Sequence, residues 1–147
     1  MKQVVFSIDY PTNKKQKAQW MRAYSLNAIY AGKHWATRKK DSDFWHWLVE
    51  SALRKAKVPE KAFLFPVSVW ILWNDRLDID NHAYMGKMIV DALKGRLIPE
   101  DSRKFFVDVR HSFYSGEAIL VMVKEIESES TNYEYFQKEL RDNLEQI

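Results

Sequence analysis

Val4, Phe6 and Ile8 alternate with Val5, Ser7 and Asp9, the two-residue period of a strand with one buried face, and Pro11 closes it. From there to Lys40 no period is sustained, and the chain reads as a long irregular connection. Asp41 or Ser42 can cap a helix whose apolar positions Phe44, Trp45, Leu48, Val49, Ala52, Leu53 and Ala56 recur at helical spacing until Pro59 stops it. Phe63 to Trp73 is apolar and rich in β-branched and aromatic residues, which predicts a largely buried second strand beginning near Pro66. Tyr84, Met85, Met88, Ile89, Ala92 and Leu93 form a second amphipathic stripe, with Gly95 placed to end it. Lys104 to Tyr114 alternates again, Ser115 and Gly116 supply a turn, and Glu117 to Ile126 returns, which predicts an antiparallel hairpin. Ser128 to Asn132 is a polar break before an acidic amphipathic segment, Tyr133 to Ile147, expected as a peripheral helix. The order β-α-β-α-β-β predicts an α+β fold, a mixed or antiparallel sheet packed by two helices, with that C-terminal helix outside it. Residues 1–126 form the expected domain and 127–147 an acidic tail.

Composition narrows the chemistry. A chain of 147 residues, 46% of them hydrophobic, carries enough apolar surface for one cored domain and excludes a disordered or collagen-like class. The absence of cysteine removes disulfides, thiolate nucleophiles and thiolate metal sites, leaving carboxylates, Lys, His, hydroxyls or a hard metal ion. No segment approaches the roughly 20 apolar residues of a membrane span, and Met1 runs directly into a strand-like segment, so no membrane association and a cytoplasmic location are expected.

The net charge of +3 conceals a segregation. Tyr10 to Lys40 contains Lys14, Lys15, Lys17, Arg22, Lys33, Arg38, Lys39 and Lys40 with no acid, whereas Glu125 to Ile147 carries seven acids against Lys138 and Arg141. A basic arm of this kind attracts phosphate backbones, and its interleaved Tyr10, Trp20, Tyr24, Tyr30 and Trp35 can stack on unpaired bases or belong to the core.

The acids that carry chemistry lie elsewhere. In an extended segment residues i and i+2 share a side, so Asp78 and Asp80 of Arg76-Leu77-Asp78-Ile79-Asp80-Asn81 can point into one site. Two converging carboxylates repel unless a proton, cation or basic side chain lies between them, and Mg²⁺ or Mn²⁺ suits such oxygen donors. The same residues also suit an ordinary capped turn, and Glu100 and Asp101 suit an ordinary loop. Lys87 falls two helical turns after Asp80 on nearly the same face, where it can reach a phosphate or pair with Asp91. Of the histidines, His82 suits either a place near the site beside Asn81 or, the favoured reading, an exposed position at a helix start, and His46 and His111 are expected to be structural. No GxxxxGK, GxSxG or GxGxxG motif occurs.

Taken together, Arg76-x-Asp78-x-Asp80-Asn81, Lys87-Met88-Ile89-Val90-Asp91-Ala92-Leu93 and Glu100-Asp101 resemble the RusA family of Holliday-junction resolvases found in phages and prophages. Ser25-x-Asn27-x-x-Tyr30 and His34-Trp35-x-x-Arg38 are similar to the region after that family's first strand. The resemblance implies a homodimeric, Mg²⁺-dependent endonuclease that cuts branched double-stranded DNA with paired nicks. It makes Asp78, Asp80 and Asp101 the metal-binding catalytic acids, with Mn²⁺ as a substitute ion, and Lys87 the catalytic lysine. Asn27, Lys33, His34, Arg38, Lys39, Lys40, Arg76 and Lys87 become the expected DNA contacts. The chain departs from the family pattern in having five residues instead of two between Asn81 and Lys87, and Glu100 in place of the first Asp of an Asp-Asp pair. A catalytically inactive nucleic-acid-binding domain on the same fold is the alternative.

Overall fold

The computed structural model describes residues 2–98, 106–126 and 131–146, the side chains of 131–136 excepted. Its elements are β1 (Gln3–Ile8), α1 (Lys14–Ala23), α2 (Leu26–Tyr30), α3 (Trp35–Lys55), β2 (Val67–Trp73), a 3-10 turn (Ile79–His82), α4 (Ala83–Leu93), β3 (Phe106–Phe113), β4 (Ile119–Glu125) and α5 (Thr131–Glu145). They form the expected α+β fold, with one mixed four-stranded sheet in the order β1-β4-β2-β3.

Strand alternation sets the core. Val4, Phe6 and Ile8 of β1, Val67, Val69, Ile71 and Trp73 of β2, and Ile119, Val121 and Val123 of β4 all face inward. Against them pack Trp45, Val49 and Leu53 of α3 and Met85, Met88, Ile89, Ala92 and Leu93 of α4, residues spaced three and four apart as a single helical stripe requires. Each fully buried aliphatic side chain here contributes roughly 1.5–3 kcal/mol. The other face of the sheet stays partly open at Val5, Trp70, Leu72, Leu120 and Met122, so β2 is largely buried as expected, its inward face completely and its outer face in part.

The expected β3–β4 hairpin is not formed. β4 pairs antiparallel with both β1 and β2, while β3 pairs parallel with the far edge of β2. The short connection therefore steps across the end of β2, spanning two interstrand spacings of about 4.8 Å each. It is fastened there by Tyr114 N–H donating to the Trp73 carbonyl (3.0 Å), the Asn74 amide donating to the Gly116 carbonyl (2.6 Å) and the Tyr114 hydroxyl donating to the Ala118 carbonyl. A short loop with turn residues indicates a reversal, and it does not specify which strand fills the space between.

The basic arm is ordered, contrary to the irregular connection expected of it. Asn13 caps α1, its side-chain oxygen accepting from Lys15 N–H (2.9 Å) and Gln16 N–H (3.1 Å), and Met21 anchors that helix in the core. Ser25 caps α2 through Ala28 N–H. α3 begins well before Asp41, and His34 caps it by accepting from Ala36 N–H through Nδ1 (3.1 Å). Asp41 is consequently no cap: its buried carboxylate receives Lys33 Nζ (2.5 Å) and the Tyr84 hydroxyl (2.8 Å), tying the arm to α4. Burial and this bond to Asp41 raise Tyr84 well above the usual phenol range, so it remains a donor.

α4 approaches β3 closely at Gly86, where a Cβ would overlap the His111 ring. His111 accepts from the Trp73 indole N–H through Nδ1 (3.0 Å), which fixes the neutral tautomer with its proton on Nε2. Burial, assisted by the charge of His82, pushes His111 below the ordinary imidazole value of 6.5. The lowered value makes the neutral form the one the fold favours: its stabilisation is complete above pH 6.5 and is lost as pH falls through the folded-state value. Urea unfolding from pH 8 to 5 should show a decline beginning just below pH 6.5, absent in His111→Gln; identical profiles would refute this assignment.

Candidate nucleic-acid and metal site

β2 ends at Trp73, and the next nine residues build the site. Asn74 and Asp75 turn the chain out of the sheet, Arg76 is exposed, and Asp78 leads into the 3-10 turn. The extended geometry expected to align Asp78 with Asp80 holds only for Asp78 (φ −59°, ψ 150°), because Asp80 already lies inside the turn. The expected alignment on one side of an extended segment is therefore not formed: the two residues flank and enter a tight turn, closed by Asn81 N–H donating to the Asp78 carbonyl (3.0 Å). Both carboxylates are exposed, and among the described residues neither has a hydrogen-bond or ion-pair partner. Asp101, the third expected acid, lies outside the described residues, as does Glu100; among the described residues no group of three or more acids or histidines is arranged to hold a metal.

The turn is supported from beneath by an Asp75–His82 pair, of which only His82 carried an expectation. His82, expected exposed, is 0% exposed, and the Asp75 side chain only 2%. His82 Nε2 lies 2.8 and 2.9 Å from the two Asp75 oxygens, and its Nδ1 lies 3.1 Å from the Ile79 carbonyl within the turn. A carboxylate and a carbonyl are both acceptors, so both ring nitrogens of His82 face acceptors. The ring is held between Trp73 (centroids 4.4 Å apart) and Phe113 (5.7 Å). Asp75 also accepts from the Tyr10 hydroxyl (2.8 Å) and Leu77 N–H (3.0 Å). Burial opposes its ionisation, yet His82, Tyr10 and Leu77 together hold the carboxyl below the usual aspartate range.

The basic arm folds against this acidic turn. α2 and β3 both contact the 3-10 turn. α1 and the Asn74–Leu77 segment enclose a cleft of about 530 Å³ that contains Lys14, Lys17, Arg22 and Arg76.

The expected DNA contacts divide. Asn27, His34, Arg38, Lys39, Lys40 and Arg76 are exposed, Lys39 beside Asp43 (3.2 Å). Lys33 is a correction: its ammonium is largely buried on Asp41 and the Ala23 carbonyl, with the Tyr24 and Tyr84 rings beside it, so its work is structural. Tyr10, Trp20 and Tyr24 likewise pack into the core, whereas Tyr30 (79% exposed) and Trp35 (67% exposed) remain available for stacking. Lys87 is exposed and sits on Asp91 (3.1 Å), which Lys94 also contacts, so the ion pair is the arrangement found. Burial disfavours the Asp91 charge, but the two lysines more than offset this and lower its pKa.

No protein-family model matches the chain, and no curated protein matches it either. Among the described residues no helix is long and apolar enough to cross a membrane.

Proposed function

We propose that the chain is a Mg²⁺-dependent endonuclease that cuts branched double-stranded DNA, Holliday junctions among its substrates, as a homodimer. The observation that carries this reading is the pair of exposed, unneutralised carboxylates, Asp78 and Asp80, on a rigidly supported turn against which a basic arm is folded. Oxygen donors of this kind fit Mg²⁺, which retains several waters and is satisfied by one or two protein carboxylates, with Mn²⁺ as a substitute; Asp101 is the proposed third ligand. The ion, when bound, supplies an activated water and charge neutralisation at the phosphate. The protein's own contribution is positional: the Asp75–His82 pair fixes the turn, and Arg76 offers a planar guanidinium to a phosphate. Lys87 is held by an exposed pair, in the weaker Lys-before-acid order, worth about 0.3 kcal/mol or less, which a nearby phosphate readily displaces. Paired nicks require two sites, which a two-fold dimer provides.

The position of Lys87 on Asp91 favours a second reading, a DNA-binding domain without catalysis. A synthetic four-way junction separates the two. Paired nicks with Mg²⁺ and none with EDTA are expected; intact strands across junctions, forks and flaps with either Mg²⁺ or Mn²⁺ would establish the second reading.

A further inference from the structure

The cleft between α1 and the Asn74–Leu77 segment shares Asp75 and Arg76 with the proposed cutting site, and the rest of its lining is unused there. Its walls carry Lys14, Lys17, Arg22 and Arg76, and its single acid, Asp75, is turned inward onto His82 and almost wholly buried. Lys17 is fixed by donating to the Asn74 carbonyl (2.5 Å) and by lying 4.0 Å over the Tyr10 ring. Lys14, Arg22 and Arg76 are exposed and, among the described residues, have no side-chain partner. The remaining lining is Asn74, whose amide donates to the Gly116 carbonyl, and apolar carbon from Ala18, Met21 and Leu77. Cations around an apolar floor match a ligand with a phosphate at one end and a flat, weakly polar body at the other. The volume, about 530 Å³, lies within the range of small-ligand sites and is far too narrow for a double helix roughly 20 Å across.

We propose that this cleft takes one unpaired nucleotide of the DNA substrate, its phosphate on Arg22 and Arg76 and its base against Met21 and Leu77. The inference rests on the endonuclease reading and gives it a substrate class: branched DNA with at least one unpaired nucleotide beside the cut, a flap or a gapped junction, in preference to a fully paired one. The location supports this, because Arg76 and Leu77 immediately precede Asp78, and a nucleotide held there presents its neighbouring phosphodiester to the Asp78–Asp80 turn. Stacking on an apolar floor tolerates any base, so little sequence preference is expected from this contact.

The test uses the full chain without metal, with methyl groups labelled for NMR, and the dinucleotide pTpT as probe. pTpT should shift the methyls of Ala18, Met21 and Leu77, and Arg22→Gln and Arg76→Gln should each weaken its binding about tenfold. Shifts that miss the cleft methyls, or equal shifts from inorganic phosphate or from blunt duplex at matched concentration, would overturn the proposal. A cleavage arm then compares a flapped junction with a fully paired one in Mg²⁺. Preference for the flap, reduced in the two variants, supports the inference, and equal cleavage of the two overturns it. Absence of cleavage on every substrate overturns the endonuclease reading and is distinguishable, because the pTpT arm contains no catalytic step.

Discussion

Asp80→Asn should reduce Mg²⁺-dependent cleavage of branched DNA by about 10²–10³-fold while leaving the protein as stable as before and its grip on DNA unchanged or tighter. The substitution keeps the size and shape of the side chain and removes its charge. Asp80 is exposed and has no hydrogen-bond or ion-pair partner among the described residues, so nothing in the fold depends on that charge. Its loss relieves repulsion from approaching phosphates, which favours DNA binding and leaves folding unchanged. The three readouts therefore move in different directions, a signature that general destabilisation cannot produce. Asp78→Asn should behave alike. Lys87→Met should cost less, because Lys87 is held on Asp91 in the free protein. Cleavage at the wild-type rate in Asp80→Asn would remove the metal role from this turn, and a lowered melting temperature would show that the carboxylate has a structural partner.

The parts of the fold legible in the sequence are those where one face is buried and the rest solvated. β1, the second half of α3 and α4 each carry an apolar stripe of the right period, and each lies where its stripe predicts. α1 and α2 escaped because their buried content is small: Met21 is the one fully buried residue of α1, Trp20 packs only partly against the core, and lysines crowd the remainder. The caps Asn13 and Ser25 were the available signal. Lys33 and Asp41 were misjudged for a related reason. Two charges that neutralise each other across a fold look, in sequence, like a surface cation and a helix cap, and only the tertiary contact reveals the pair. His82 is the sharpest case. Next to Asn81 and ahead of a helix it reads as exposed, yet Asp75, seven residues earlier, returns beneath it at 2.8 Å once the turn is made. For Asp78 and Asp80 the sequence offered the residue types and spacing, whereas their exposure and lack of a partner among the described residues came only with the fold.

The concealed pair should prove the most expensive to break. His82→Ala should lower stability by about 3–5 kcal/mol, since it leaves the Asp75 carboxylate buried with only the Tyr10 hydroxyl and Leu77 N–H and opens a void between Trp73 and Phe113. Against a total of about 5–15 kcal/mol for a domain of this kind, that loss removes much of the margin. Asp75→Asn should cost less, because the amide fills the same space without a buried charge and keeps one of the two acceptor oxygens that Tyr10 and Leu77 use. The two variants also differ in acid. The carboxyl of Asp75 is held below the ordinary aspartate value of 3.8, so its contribution is complete above that pH and is lost as pH falls through the folded-state value. Asp75→Asn should therefore flatten the acid limb of the stability profile below pH 3.8, leaving the slope that begins near pH 6.5 to His111. Chemical denaturation of the three proteins between pH 2.5 and 8 measures both limbs. If His82→Ala and the wild type unfold at the same denaturant concentration, the pair is not what holds the turn. Asp78 and Asp80 would then owe their placement to the 3-10 hydrogen bonds alone.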